Sequence, residues 1–109
     1  MRKEKIKNRG YFLIQQSYQK STFKLKGDFN GNNIHKIIKA LIRSKSSKKS
    51  FIELDMNKLE TIDIKAMALF IITLKELKES GIKTKVTGLD GKNLNLAEEL
   101  GIQYITQIN

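Results

Sequence analysis

Cysteine and proline are absent from this 109-residue chain, and histidine occurs once. Without cysteine there is no disulfide framework, no thiolate nucleophile and no cysteine-based zinc or iron–sulfur site, and nothing marks an oxidising compartment. With His35 as the only imidazole, the histidine sets that hold catalytic or structural metals cannot be assembled without recruiting scattered carboxylates. A nucleophile–base–orienter constellation lacks its usual base as well. His35 falls at the second position of a predicted helix and reads as a surface or helix-end residue. The glycines Gly27, Gly31, Gly88 and Gly91 fit neither the P-loop nor the dinucleotide spacing and read as turn residues. Long apolar runs are missing too. The longest nearly uncharged one, Ala66 to Leu74, falls well short of the ~20 residues a transmembrane helix needs. The segment from Arg2 to Arg9 is charged and has no apolar core behind it, unlike a signal peptide. No enzyme, cofactor, metal or membrane insertion is therefore expected, and a cytoplasmic location is the default expectation.

The chain is long enough for one domain with its own core. Its formal charge of +10 is unevenly spread. Residues 1–50 hold fourteen Lys/Arg against two Asp/Glu, whereas residues 51–109 hold seven against nine. Such asymmetry suits an acidic partner, an anionic surface or a phosphate backbone, but also a plain solvated lysine-rich face. A basic patch of Lys36, Lys39, Arg43, Lys45, Lys48 and Lys49 is the candidate for a nucleic-acid or anionic-surface binder. Aromatics are poorly interleaved with those cations, so any such binding would be unspecific and would collapse with salt, and a nucleic-acid partner is not expected.

Hydrophobic periodicity gives the architecture. Residues 1–9 read as a basic flexible arm and residues 10–109 as the domain. Residues 11–18 form a first strand. Thr22 to Lys26 alternates strictly as a half-buried second strand, joined to the first in an antiparallel hairpin. Residues 27–33 are a dense turn signal, with Asn32 or Asn33 placed to cap a helix that carries Ile34, Ile37, Ile38, Leu41 and Ile42 on one stripe. Phe51 to Asp55 is a third strand. After a connector, Asp63 caps a second helix with the stripe Met67, Phe70, Ile71, Leu74 and Leu77, and Gly81 ends it. Leu69 and Ile72 lie off that stripe and either pack on a neighbouring helix or face a partner. A strand over 83–89, a short helix through Leu94, Leu96, Ala97 and Leu100, and a final strand over 102–108 complete the chain. The order β-β-α-β-α-β-α-β predicts an α/β domain with a mostly parallel sheet and an antiparallel N-terminal strand. Asp55 and Asp63 are the nearest approach to a carboxylate pair, if they meet at one edge of the sheet; a turn role for Asp55 and a cap role for Asp63 are favoured.

The run from Ile52 to Asp63, the apolar helix after it, Gly81, a strand and a last helix ending in Leu100-Gly101-Ile102 together resemble the STAS domain of anti-sigma factor antagonists. Gly27-Asp28-Phe29 is similar to that family's Gly-Glu-Leu after the second strand. The resemblance covers about residues 11–108. It implies a non-enzymatic module that docks on a protein partner, an anti-sigma factor that is also a kinase, through Asp28, Asn30, Asp55, Asp63, Ile64, Lys65, Ala66 and Leu69. In the signalling members the serine two places after the helix-mouth Asp is phosphorylated; matched residue by residue, that place is Lys65, with Ile64 before it and Ala66 at the family's glycine. Lys65 accepts no phosphate, and a cation there has the opposite sign to a phosphoserine. An alternative within the resemblance is the STAS subunit of an ABC-type lipid transporter, partnered by an ATPase and a permease.

Overall fold

A computed structural model describes residues 2–5, 11–17, 20–47 and 50–108, with side-chain surroundings from Lys20 onward except at Asn32. The strands are β1 (Arg2–Lys5), β2 (Tyr11–Ser17), β3 (Lys20–Phe29), β4 (Phe51–Ile62), β5 (Lys83–Thr87) and β6 (Gln107–Ile108). The helices are α1 (Gly31–Arg43), α2 (Ile64–Glu79) and α3 (Gly91–Glu99), with a 3-10 turn at Ile102–Tyr104. The strands lie in sequence order in one sheet. Pairing is antiparallel from β1 to β3 and parallel from β3 to β6. The expected α/β architecture stands.

Three parallel crossovers that step in the same direction and share the usual right hand put α1, α2 and α3 on one face of the sheet. The strands record this one-sidedness. In β3, Ser21, Phe23, Leu25 and Phe29 are buried, whereas Lys20, Lys24 and Lys26 between them are exposed. Ile52, Leu54, Met56 and Val86 continue the buried row across β4 and β5. Against it α2 lays Met67, Phe70, Ile71, Leu74 and Leu77, all buried as their spacing predicts. Phe29 and Phe70 meet edge to face at 5.4 Å between ring centroids, joining β3 to α2. Gly81, at φ 86, closes α2 in a Schellman arrangement, with its N–H on the Lys78 carbonyl and the Ile82 N–H on the Leu77 carbonyl.

Local reading and tertiary structure part company in five places. Arg2–Lys5, expected as part of a flexible arm, forms β1 and pairs antiparallel with β2. The backbone groups along the outer side of β2 need hydrogen-bond partners, and four residues of neighbouring chain supply them. Met1 and residues 6–10 of that arm lie outside the described residues. Gly27, Asp28 and Phe29, expected as a turn, extend β3, because they pair with Leu59, Thr61 and Ile62. For the same reason the connector after Asp55 is strand: β4 runs to Ile62. Asn30 rather than Asn32 or Asn33 caps α1, its Oδ1 accepting from the Asn33 N–H at 3.1 Å. Asn33 is instead buried, and its Nδ2 donates to the Asp28 carbonyl at 2.6 Å. The expected last strand over 102–108 divides into the 3-10 turn and the two-residue β6, since only Gln107 and Ile108 reach the β5 ladder.

Candidate functional site: the mouth of the second helix

The carboxyl ends of β3 and β4 deliver α1 and α2, and hydrogen bonds tie the two exits together. The Asp63 N–H donates to the Phe29 carbonyl at 2.9 Å, continuing the ladder one step past Ile62. Thr61 Oγ1 donates to Asp28 Oδ1 at 2.8 Å across the same pair of strands. Asp63 is then the N-cap that its position predicts: Oδ1 accepts from the Lys65 N–H at 2.7 Å and the Ala66 N–H at 3.2 Å. Two of the free donors of the first turn are thereby satisfied, at the positive end of the helix dipole. Asp63→Ala is expected to cost about 1 kcal/mol, the usual value of a lost cap. The measurement is urea unfolding, with Asp63→Asn as the control that retains an acceptor; equal stability of Asp63→Ala and the parent would remove the cap from this account.

Asp28, Asn30, Asp63, Ile64 and Lys65 come together at this mouth. Asp63, Ile64 and Lys65 are exposed, Ile64 to 59%. Ala66 is fully buried behind the cap, so its part is to let the first turn seat on the core rather than to touch a partner. Leu69, one turn along, is 38% exposed. Asp55 does not join them. Its Oδ1 accepts from the Asn57 N–H at 3.0 Å, and its ladder partners are Lys24 and Thr87. Between Asp55 and Asp63, β4 keeps pairing with β3 from Lys24 to Phe29, roughly 20 Å of strand at the usual ~3.3 Å per residue. The turn-and-cap reading of the two carboxylates therefore replaces the paired one. Among the described residues no group of three His, Cys, Asp or Glu comes close enough to hold a metal ion.

The basic patch is partly present. Lys36, Lys39 and Arg43 are exposed on α1, and Lys45 is exposed but sits 3.6 Å from Glu76 of α2. Lys48 and Lys49 lie outside the described residues. His35 is exposed at the start of the same helix. Two residues were under-read from the sequence. Ile42, assigned to the core stripe of α1, is 41% exposed, and Ile72, left open between a neighbouring helix and a partner, is 58% exposed. The signal was available for Ile42: a residue eight places after Ile34 has rotated ~80° around a 3.6-residue helix, toward the edge of a stripe centred on Ile37 and Leu41. Among the described residues no helix is long and apolar enough to cross a membrane.

No curated protein matches by sequence. Among solved structures the chain is similar to an anti-sigma factor antagonist from Thermotoga maritima, at 17% identity and TM-score 0.77, over 89% of this chain and 84% of that one. It is similar to SpoIIAA, the anti-sigma factor antagonist and cell fate determinant of Bacillus, at 12% identity and TM-score 0.72, over 90% of this chain and 86% of that one. A chain in the complex of the diguanylate cyclase SiaD with its activator SiaC, from Pseudomonas aeruginosa, matches at 18% identity and TM-score 0.65, over 91% and 88% respectively. At these identities the likeness concerns the fold. The family model for the STAS domain matches residues 11–108, nearly the whole chain, and the protein belongs to the STAS domain family.

Proposed function

We propose that this STAS domain is a non-enzymatic regulatory module that docks the mouth of α2 on a protein partner, in the manner of an anti-sigma factor antagonist but without a phosphorylation switch. The observation that carries the reading is the sequence Asp63-Ile64-Lys65-Ala66 at that mouth. The cap and an exposed first turn are present, and Lys65, which the family resemblance matches to the regulated serine, is exposed. No hydroxyl stands at 64, 65 or 66, and the nearest one along the chain, Thr61, donates to Asp28. A phosphoserine would add about −1.5 to −2 charges here. Lys65 instead presents a constant positive charge, so regulation passes to the supply of the partner. That membership of the fold is shared by proteins described as anti-sigma factor antagonists supports the same direction.

The test is affinity capture from native cytosol with the full chain, read by quantitative mass spectrometry. One protein is expected in stoichiometric amount with the parent, and Lys65→Glu is expected to retain at least tenfold less of it, about 1.4 kcal/mol in binding. Phosphatase treatment is expected to change nothing. Equal retention by Lys65→Glu, or no stoichiometric protein at all, would refute the proposal. Joint recovery of an ATPase and a permease would select the transporter-subunit role instead, and recovery of nucleic acid that persists at physiological salt would select the basic surface.

A further inference from the structure

Four of the large aliphatic side chains left exposed, Ile42, Ile64, Leu69 and Ile72, belong to the outer surface of α1 and α2. Their placement follows from one ion pair. Lys45 Nζ lies 3.6 Å from Glu76 Oε2, which fixes the level at which the two helices adjoin. Both helices follow parallel strands and pack on each other, so they run in the same direction. Ile42 precedes Lys45 by three residues and Ile72 precedes Glu76 by four, each about one turn back, with Ile72 on the outer face of α2. Leu69 precedes Glu76 by seven, two turns back on nearly the same line. Ile42, Leu69 and Ile72 thus form one strip across the seam of the two helices, and Ile64 prolongs it to the mouth of α2. Ile42 and Leu69 are the more recessed, at 41% and 38% exposure, and Ile64 and Ile72 stand prouder, at 59% and 58%. The strip is an exposed aliphatic patch on the outer surface of the two helices.

Its border is cationic. Lys39 and Arg43 flank it on α1, Lys65 and Lys75 on α2, all exposed. Of the acidic residues nearby, Glu76 is paired with Lys45, Asp63 is engaged as the cap of α2, and Glu79 lies at the far end of that helix. Apolar side chains at helical spacing beside an excess of cations specify an occupant with the complementary pattern. Two copies of this chain face to face would oppose cation to cation. A phosphate backbone would leave the aliphatics uncovered. Aliphatic side chains at helical spacing on two adjoining helices match the apolar stripe of a third helix.

We propose that this strip across α1 and α2 is the docking surface for an acidic amphipathic helix of the protein partner, its apolar stripe on Ile42, Leu69 and Ile72 and its carboxylates on Lys39, Arg43 and Lys75. The inference rests on the partner-docking role proposed above and extends it away from the mouth.

The experiment is selection of a displayed library of helical peptides, each about sixteen residues, against the full chain. Selected sequences are expected to combine an apolar stripe at i, i+4 and i+7 with a net negative charge. Their binding is expected to weaken at least tenfold on Ile42→Ser with Ile72→Ser, and at least threefold on Lys39→Gln with Lys75→Gln. All four positions are exposed, and unchanged thermal unfolding of the variants verifies that the fold is kept. Selection of neutral or basic peptides, binding indifferent to both variant pairs, or no enrichment at all would overturn the proposal. So would co-sedimentation with phosphatidylglycerol–phosphatidylcholine vesicles that the Ile42→Ser, Ile72→Ser pair abolishes while no peptide is selected, because the occupant would then be a lipid surface. A native partner lost with Lys65→Glu but held by the Ile42→Ser, Ile72→Ser and Lys39→Gln, Lys75→Gln variants would end this inference and leave the docking role of the mouth intact.

Discussion

Phe70→Ala is expected to lower the free energy of unfolding by about 4 kcal/mol, the upper part of the range for emptying a buried aromatic site. Phe70 is fully buried in the middle of α2 and holds the ring of Phe29 edge to face, with the ring planes 89° apart. The loss combines the transfer term of a large side chain, the cavity its neighbours cannot fill, and an aromatic pair worth about 1 kcal/mol. Urea unfolding should show a lower midpoint with an unchanged slope, as for a change in stability alone. Phe70→Leu, which keeps most of the volume, should cost under half as much. The effect should reach the site. The Phe29 carbonyl receives the Asp63 N–H, so a loosened Phe29 should speed hydrogen exchange at Asp63 and Lys65 more than at Lys83. A loss below about 1.5 kcal/mol, or exchange that rises uniformly, would contradict this coupling of core to mouth.

The second large effect is expected at Gly88→Ala, about 3 kcal/mol. Gly88 has φ +86, a left-handed conformation that costs a residue with a Cβ about 1 kcal/mol or somewhat more. A Cβ there would also lie 2.5 Å from the backbone nitrogen of Asn57, and backbone cannot rotate out of the way as a long side chain can. That contact occurs two residues after Asp55, the last β4 residue paired with β5. The close approach of Gly88 therefore helps to set where β4 leaves β5 and continues along β3 toward Asp63. Gly81→Ala separates the two contributions, because Gly81 has the same φ of +86 with nothing within 4 Å of its added Cβ. It should cost about 1 kcal/mol. Thermal or urea unfolding of both variants is the measurement; equal costs would mean that the Gly88–Asn57 approach contributes nothing.

The expectations that held were those fixed by short-range physics. The cap at Asp63, the stop at Gly81 and the buried stripe from Met67 to Leu77 each depend on residues within a few positions of one another, and each appears where its spacing placed it. The alternation of Phe23 and Leu25 with Lys24 and Lys26 likewise settled which side of β3 faces the helices. Where the reading failed, a partner distant in sequence had overruled a local preference. Gly27-Asp28-Phe29 has turn composition, yet it is strand because Leu59, Thr61 and Ile62 lie beside it. Asp55 and Asp63 were candidates for a pair only as long as the residues between them were taken for a connector.

By itself, then, the sequence determined the α/β class, the two main helices, the absence of cysteine, and a first turn of α2 reading Ile64-Lys65-Ala66 with a cation at position 65. These follow from composition and from periodicities of two and 3.6 residues, which need no knowledge of what lies across the sheet. Only the tertiary structure decided that Asp55 stands apart from Asp63, that Ala66 is buried, and that Ile42 and Ile72 share an exposed strip. Strand register and the level at which two helices adjoin are set by contacts between residues about thirty apart in the chain, such as Asp28 with Thr61 and Lys45 with Glu76, and local spacing carries no record of them.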